Sequence, residues 1–120
     1  SILLVVEDDG LIRSSLQMLL EFEGYRAHTV ENGQAALDFL ESAESLPCLI
    51  VLDLMMPVMD GVEFRRIQLQ NPEIACVPIV VVTGKADLKE AESLAALSII
   101  RKPFEADDVL RVIRQHCPPQ

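Results

Sequence analysis

The chain has 120 residues, 50% of them apolar, enough for one domain with its own core. A formal net charge of -9 argues against a grip on nucleic-acid phosphates and favours a cationic partner or a bound metal. No apolar run approaches the ~18 residues of a membrane span, and no basic segment leads into an apolar one as in a secretory signal, so a cytoplasmic domain off the membrane is expected.

Ile2 to Val6 reads as a strand, apolar on both faces, and it runs straight into Glu7, Asp8 and Asp9. Ile12, Leu16 and Leu19 recur at helical spacing between Leu11 and Glu23, with Gly24 as the expected stop. Arg26 to Val30 is a short polar edge strand. Gln34 to Glu41 follows as a helix, with Asn32 as its cap. Leu49 to Leu52 is a second fully apolar strand. Val62 to Gln70 forms a third helix, stopped before Asn71-Pro72. Ile79 to Val82 is again a buried strand. Asp87 to Ala96 is a weaker helix, Ile99 to Arg101 a short fifth strand, and Glu105 to Gln115 the last helix.

Strands thus alternate with helices, and the first, third and fourth strands are apolar on both faces. Parallel sheets covered by helices on each side have this pattern, so the class is α/β, doubly wound. Residues 1–117 form the domain, and 118–120, with Pro118-Pro119, read as a tail or the start of a linker. Cys48, Cys76 and Cys117 contain no CxxC pair, and three reduced thiols are expected.

In such folds the chemistry lies at the carboxyl ends of the strands, beside the switch in strand order. Glu7 and Asp8 follow the first strand, and Asp53 follows the third. Three converging carboxylates repel one another unless a cation neutralises them, and hard oxygen ligands at this density suit Mg²⁺ or Mn²⁺. The fourth strand ends at Thr83 and the fifth leads to Lys102. A carboxylate, a metal, a hydroxyl and a lysine make a phosphoryl-transfer set with Asp53 as nucleophile.

Four segments, VVEDD, VLDLMMPVMDG, VVVTG and RKPF, each follow a predicted strand in order. On them the chain resembles the receiver domain of two-component response regulators over essentially its whole length. The resemblance implies a (βα)5 flavodoxin-like fold of three layers with strand order 2-1-3-4-5. It implies Asp53 as phosphoacceptor, Asp8 as a direct Mg²⁺ ligand, Glu7 assisting through water, and the Met55 backbone carbonyl on the metal. Thr83 then reports phosphorylation and Lys102 pairs with the phosphate, held by a cis Lys102-Pro103 bond. The implied partner is a histidine kinase or histidine phosphotransfer domain. A homodimer through the fourth helix, fifth strand and fifth helix is one assembly the resemblance allows, and turnover beyond self-catalysed phosphotransfer and autodephosphorylation is not expected.

Other roles compete with these. Asp9 fits a helix cap, and Asp60-Gly61 a turn and helix start. His28 and His116 read as surface residues. An aspartate-nucleophile phosphohydrolase needs an acid where Met55 stands, and a flavin-phosphate loop does not tolerate Glu-Asp-Asp. A degenerate receiver acting only in docking conflicts with the intact acid, hydroxyl and lysine set. Departures from the family pattern are Ile99 at a common aromatic position, Ala95 where glycine is usual, Gly84 for alanine, and Gly10 for proline. Ile99 is stiff at χ1 and carries no ring; it is either a plain strand residue with a moderated switch or the mark of an output that does without aromatic gating.

Overall fold

The structure, a computed structural model, describes residues 2–84 and 87–118. Five parallel strands, β1 (Ile2–Val6), β2 (Arg26–Val30), β3 (Leu49–Asp53), β4 (Ile79–Thr83) and β5 (Ser98–Arg101), pair in the order β2-β1-β3-β4-β5. Helices α1 (Gly10–Phe22), α2 (Gly33–Ser42), α3 (Gly61–Gln70), α4 (Leu88–Glu92) and α5 (Ala106–His116) connect and follow them. The flavodoxin-like fold and its strand order agree with expectation.

Alternation along the strands builds two cores. Leu4, Val6, Ile50, Leu52, Ile79 and Val81 face α2, α3 and α4 with Leu37, Leu40, Phe64 and Ala91. Leu3, Val5, Leu49, Val51, Val80 and Val82 face α1 and α5 with Leu16, Leu20, Val109 and Ile113. Both faces of the sheet are therefore dry, which is why the central strands carry unbroken apolar runs. The edge strand β2 is half-exposed, and its His28 lies on the surface with its ring stacked on Phe39.

The helix ends follow the sequence closely. Asp9 accepts hydrogen bonds from the N–H groups of Leu11 and Ile12, so α1 begins at Gly10. Asn32 caps α2 at Ala35 N, and Asp60 caps α3 at Glu63 N. Gly24 takes φ 95° after α1, where Tyr25 N donates back to Leu20 O. The fourth helix is shorter than expected, ending at Glu92 rather than Ala96. Ala95 adopts φ 55°, the left-handed region that stops a helix, so the turn usually made with glycine is made here with alanine.

The cysteine expectation is corrected for two of the three residues. Cys48 and Cys117 form a disulfide across 69 residues, with Cα atoms 6.3 Å apart, within the normal span of such a bond. Cys48 immediately precedes β3 and Cys117 ends α5, and both pack in the core on the α1–α5 face. A contact between such distant positions leaves no trace in local spacing. Cys76 is free and exposed.

Candidate functional site

The carboxyl ends of β1, β3 and β4 lie side by side because β1 pairs with β3 and β3 with β4, with Asp53 opposite Val82. Each strand carries its functional group at or just past that end. Glu7 follows β1 and is buried, Asp8 is exposed, Asp53 closes β3 and is buried, and Thr83 closes β4 with no exposed surface. Carboxylate oxygens of Glu7, Asp8 and Asp53 all lie within 4.8 Å of one another. Lys102 follows β5, and its Nζ stands 3.0 Å from Glu7 Oε1 and 3.5 Å from Asp53 Oδ1.

Local structure fixes these groups. The Lys102 N–H donates to Thr83 O at 2.8 Å, tying the loop after β5 to the end of β4, and the Lys102-Pro103 bond is cis as expected. Gly61 lets the start of α3 pass the end of β3: a Cβ there would meet Asp53 O at 2.6 Å and Leu54 Cα at 2.8 Å. Both are backbone atoms that cannot swing aside, so glycine is required by close approach. The Arg13 guanidinium donates to Glu7 O at 2.9 Å and Asp8 O at 3.3 Å, bracing the acidic loop from α1. The sequence reading missed Arg13; its position one turn into the helix behind two acids was the available signal.

The electrostatics are those of crowded like charges. Two carboxylates about 5 Å apart repel by roughly 3 kcal/mol at an effective dielectric near 20. Asp53 is accordingly pushed up to about 7, by burial first and then by the hydrogen bond and the charge of Glu7. Lys102 and the Met55 N–H pull it down without prevailing. Burial works against the charge on Lys102, but Glu7 and Asp53 outweigh it and raise its pKa. Three carboxylates against one ammonium leave two negative charges unanswered at high pH, and oxygen donors with that deficit fit a hard divalent cation.

Four further observations bear on the chemistry. The Thr83 hydroxyl is buried with no hydrogen-bond partner among the described residues, a cost of about 1–3 kcal/mol that an incoming oxygen acceptor would remove. The Met55 side chain is exposed, while its N–H donates to Asp53 Oδ1 at 3.4 Å. A Cβ at Gly84 would meet nothing within 4 Å among the described residues. Ile99 lies opposite Val81 in β5 and is partly buried against the α2–α4 core. Every residue picked from the sequence thus reaches the same edge of the sheet, and Asp9 and Asp60 stay in their capping roles.

The sequence pattern described as the response regulator receiver domain matches residues 3–114. Sporulation initiation phosphotransferase F of Bacillus subtilis is 31% identical to this chain, over 97% of it and 93% of that protein. Response regulator MprA of Mycolicibacterium vanbaalenii is 34% identical over 93% of this chain, which spans 48% of that protein. The signal receiver domain of a signal transduction histidine kinase from Syntrophus aciditrophicus superposes with a TM-score of 0.82 at 28% identity. That match covers 99% of this chain and 94% of the other.

Proposed function

The chain belongs to the receiver domain family of response regulators, and on that footing we propose that Asp53 is its phosphoacceptor. Receiver domains take part in two-component signalling as phosphoacceptors, and they interact with histidine kinases or phosphotransfer proteins. The observation that carries the assignment to Asp53 is its place between Lys102 and the Glu7–Asp8 pair on the buried end of β3.

An Asp53 carboxylate oxygen attacks the phosphorus of a partner phosphohistidine, the P–N bond breaks, and the imidazole leaves. The ionised carboxylate is already the nucleophile, so no general base is required. Lys102 Nζ, held between Glu7 and Asp53, reaches the phosphoryl oxygens by a small shift from its resting pair. The buried Thr83 hydroxyl gains the acceptor it lacks. Glu7, Asp8, Asp53 and the Met55 carbonyl would hold Mg²⁺, or Mn²⁺, which supplies positive charge against the phosphoryl oxygens. Water reaching the site past Gly84 later hydrolyses the acyl phosphate.

Phosphorylation then biases an existing equilibrium between two arrangements of the α4, β5 and α5 face. Partly buried Ile99 offers no ring to rotate, so the change is carried by α4 rather than by an aromatic swing. We take residues 1–117 as the domain, residues 118–120 as a tail or linker start, and the cytoplasm as its compartment. No described helix is long and apolar enough to cross a membrane. The α4–β5–α5 face is also where two copies would pair. Incubation with acetyl phosphate and Mg²⁺, read by intact mass, tests the assignment. One added phosphoryl group is expected on the wild type, and none on Asp53→Asn or in the presence of chelator. Equal labelling of wild type and variant would refute it.

A further inference from the structure

Arg65 and Gln68 are buried on α3, and the phosphoryl-transfer chemistry uses neither. The Arg65 guanidinium reaches out of α3 to the turn between α4 and β5: Nε donates to Leu94 O at 3.0 Å and Nη2 to Ala95 O at 3.3 Å. Its Nη1 donates to Gln68 Oε1 at 2.8 Å. The Gln68 amide in turn donates to Ile74 O at 3.0 Å and Val77 O at 2.9 Å, in the segment before β4. Leu97 N donates to Ile79 O at 2.9 Å and closes the belt between the two segments. Among the described residues, no carboxylate pairs with Arg65. A buried guanidinium is costly unless its donors are used, and here Nε and Nη2 converge on one turn while Nη1 is taken by Gln68.

That turn follows α4, whose two ends differ. The helix has five residues and buries only Ala91, and Asp87 gives it no side-chain cap. Asp87 N donates to Gly84 O, so its N-terminal end hangs from the chain just past Thr83. Its C-terminal end is clasped from inside by Arg65, where cationic donors also meet the negative pole of the helix. The clasped carbonyls include that of Ala95, the alanine held at φ 55°.

We propose that Arg65, with Gln68 behind it, is a positioning residue that anchors the α4–β5 turn, so that the response of α4 to phosphorylation is a pivot about its C-terminal end. Motion starting at Thr83 reaches the N-terminal end of α4 and stops at the clasp. The pivot rests on the phosphoacceptor reading of Asp53; the clasp does not.

Hydrogen–deuterium exchange tests both, on wild type, Arg65→Met and Arg65→Lys, each with and without acetyl phosphate and Mg²⁺. Without acetyl phosphate, Arg65→Met should speed exchange of residues 93–97 by about tenfold or more, and Arg65→Lys by less, because its ammonium serves fewer carbonyls. In the wild type, acetyl phosphate should change exchange in residues 87–92 and leave 93–97 unmoved. In Arg65→Met the change should spread through 93–97, an effect that a purely structural arginine would not produce. Wild-type exchange of 93–97 in both variants overturns the anchor. A wild-type response that is largest in 93–97, or identical in wild type and Arg65→Met, overturns the pivot. If Arg65→Met does not fold, Arg65→Lys decides: wild-type exchange of 93–97 in it overturns the anchor. Should the wild type gain no phosphoryl group, the phosphoacceptor reading and the pivot fall together, and the anchor is judged by the arms without acetyl phosphate.

Discussion

The Lys102 ammonium sits 3.0 Å from Glu7 Oε1, nearer than its 3.5 Å to Asp53 Oδ1. At rest the lysine is therefore paired mainly with Glu7 rather than with Asp53, the proposed phosphoacceptor. It restrains the carboxylate cluster and is free to turn toward new negative charge on Asp53. Lys102→Ala should slow phosphorylation by acetyl phosphate by about a hundredfold, the usual scale for losing one electrostatic contact in a transition state. Because the same change removes a cation competing for the carboxylates, divalent-metal affinity should rise. A time course by intact mass and a calorimetric metal titration measure the two. An unchanged rate would contradict the role given to Lys102.

Asp53 carries its proton up to about pH 7 in the folded, metal-free protein, against 3.8 for the free group. Folding therefore favours the protonated form. Its penalty appears as pH rises from the unfolded toward the folded value and is complete above about 7, reaching on the order of 2 to 4 kcal/mol. Asp53→Asn removes that penalty. In chelator at pH 8 the variant should be the more stable protein in urea, and its advantage should shrink steadily toward pH 4. Added Mg²⁺ should stabilise the wild type more than the variant. A variant less stable than wild type at pH 8 would show that the acid cluster is not strained.

Ala95 holds φ 55°, a region that costs an L-residue with a Cβ about 1–2 kcal/mol. Glycine relieves this and adds unfolded-chain entropy of opposite sign, so Ala95→Gly should stabilise by about 0.5–1 kcal/mol. Chemical denaturation measures it. A loss of stability would mean that the alanine methyl makes contacts worth more than its backbone strain.

The Cys48–Cys117 bond closes a separation of 69 residues. In denaturant without reductant, alkylation should label only Cys76, and after reduction in denaturant all three cysteines should react. Reduction or Cys48→Ser should cost about 2–4 kcal/mol. In a reducing cytosol the pair opens, and the domain must then rely on the cores alone. Three reactive thiols in protein folded in an oxidising buffer would contradict the bond.

Sequence legibility differed by the range of the interaction. The strands were visible because each face of the sheet is dry, which forces unbroken apolar runs such as Leu49–Leu52. Asp9 and Asn32 were readable as caps, and Asp60-Gly61 as a helix start, because such signals are settled within three residues. That Glu7, Asp8, Asp53, Thr83 and Lys102 come together was readable because a parallel sheet delivers every strand end to one edge. The missed features are contacts between distant segments. Arg65 is buried and donates to Leu94 O in the α4–β5 turn, a contact that no local pattern around it announces. Cys48 and Cys117 carry no spacing signal, and the shortening of α4 depends on the backbone angle of Ala95, which residue type argued against.

The proposed phosphoacceptor, Asp53, stands at the end of β3 among the carboxylates that would hold the metal. Borohydride trapping of protein treated with acetyl phosphate and Mg²⁺ reduces an acyl phosphate to a stable alcohol, which peptide sequencing by mass spectrometry locates. Trapped alcohol is expected at Asp53 and is lost in chelator. Trapping at Asp8, Asp60 or another carboxyl, with Asp53 untouched, would contradict it.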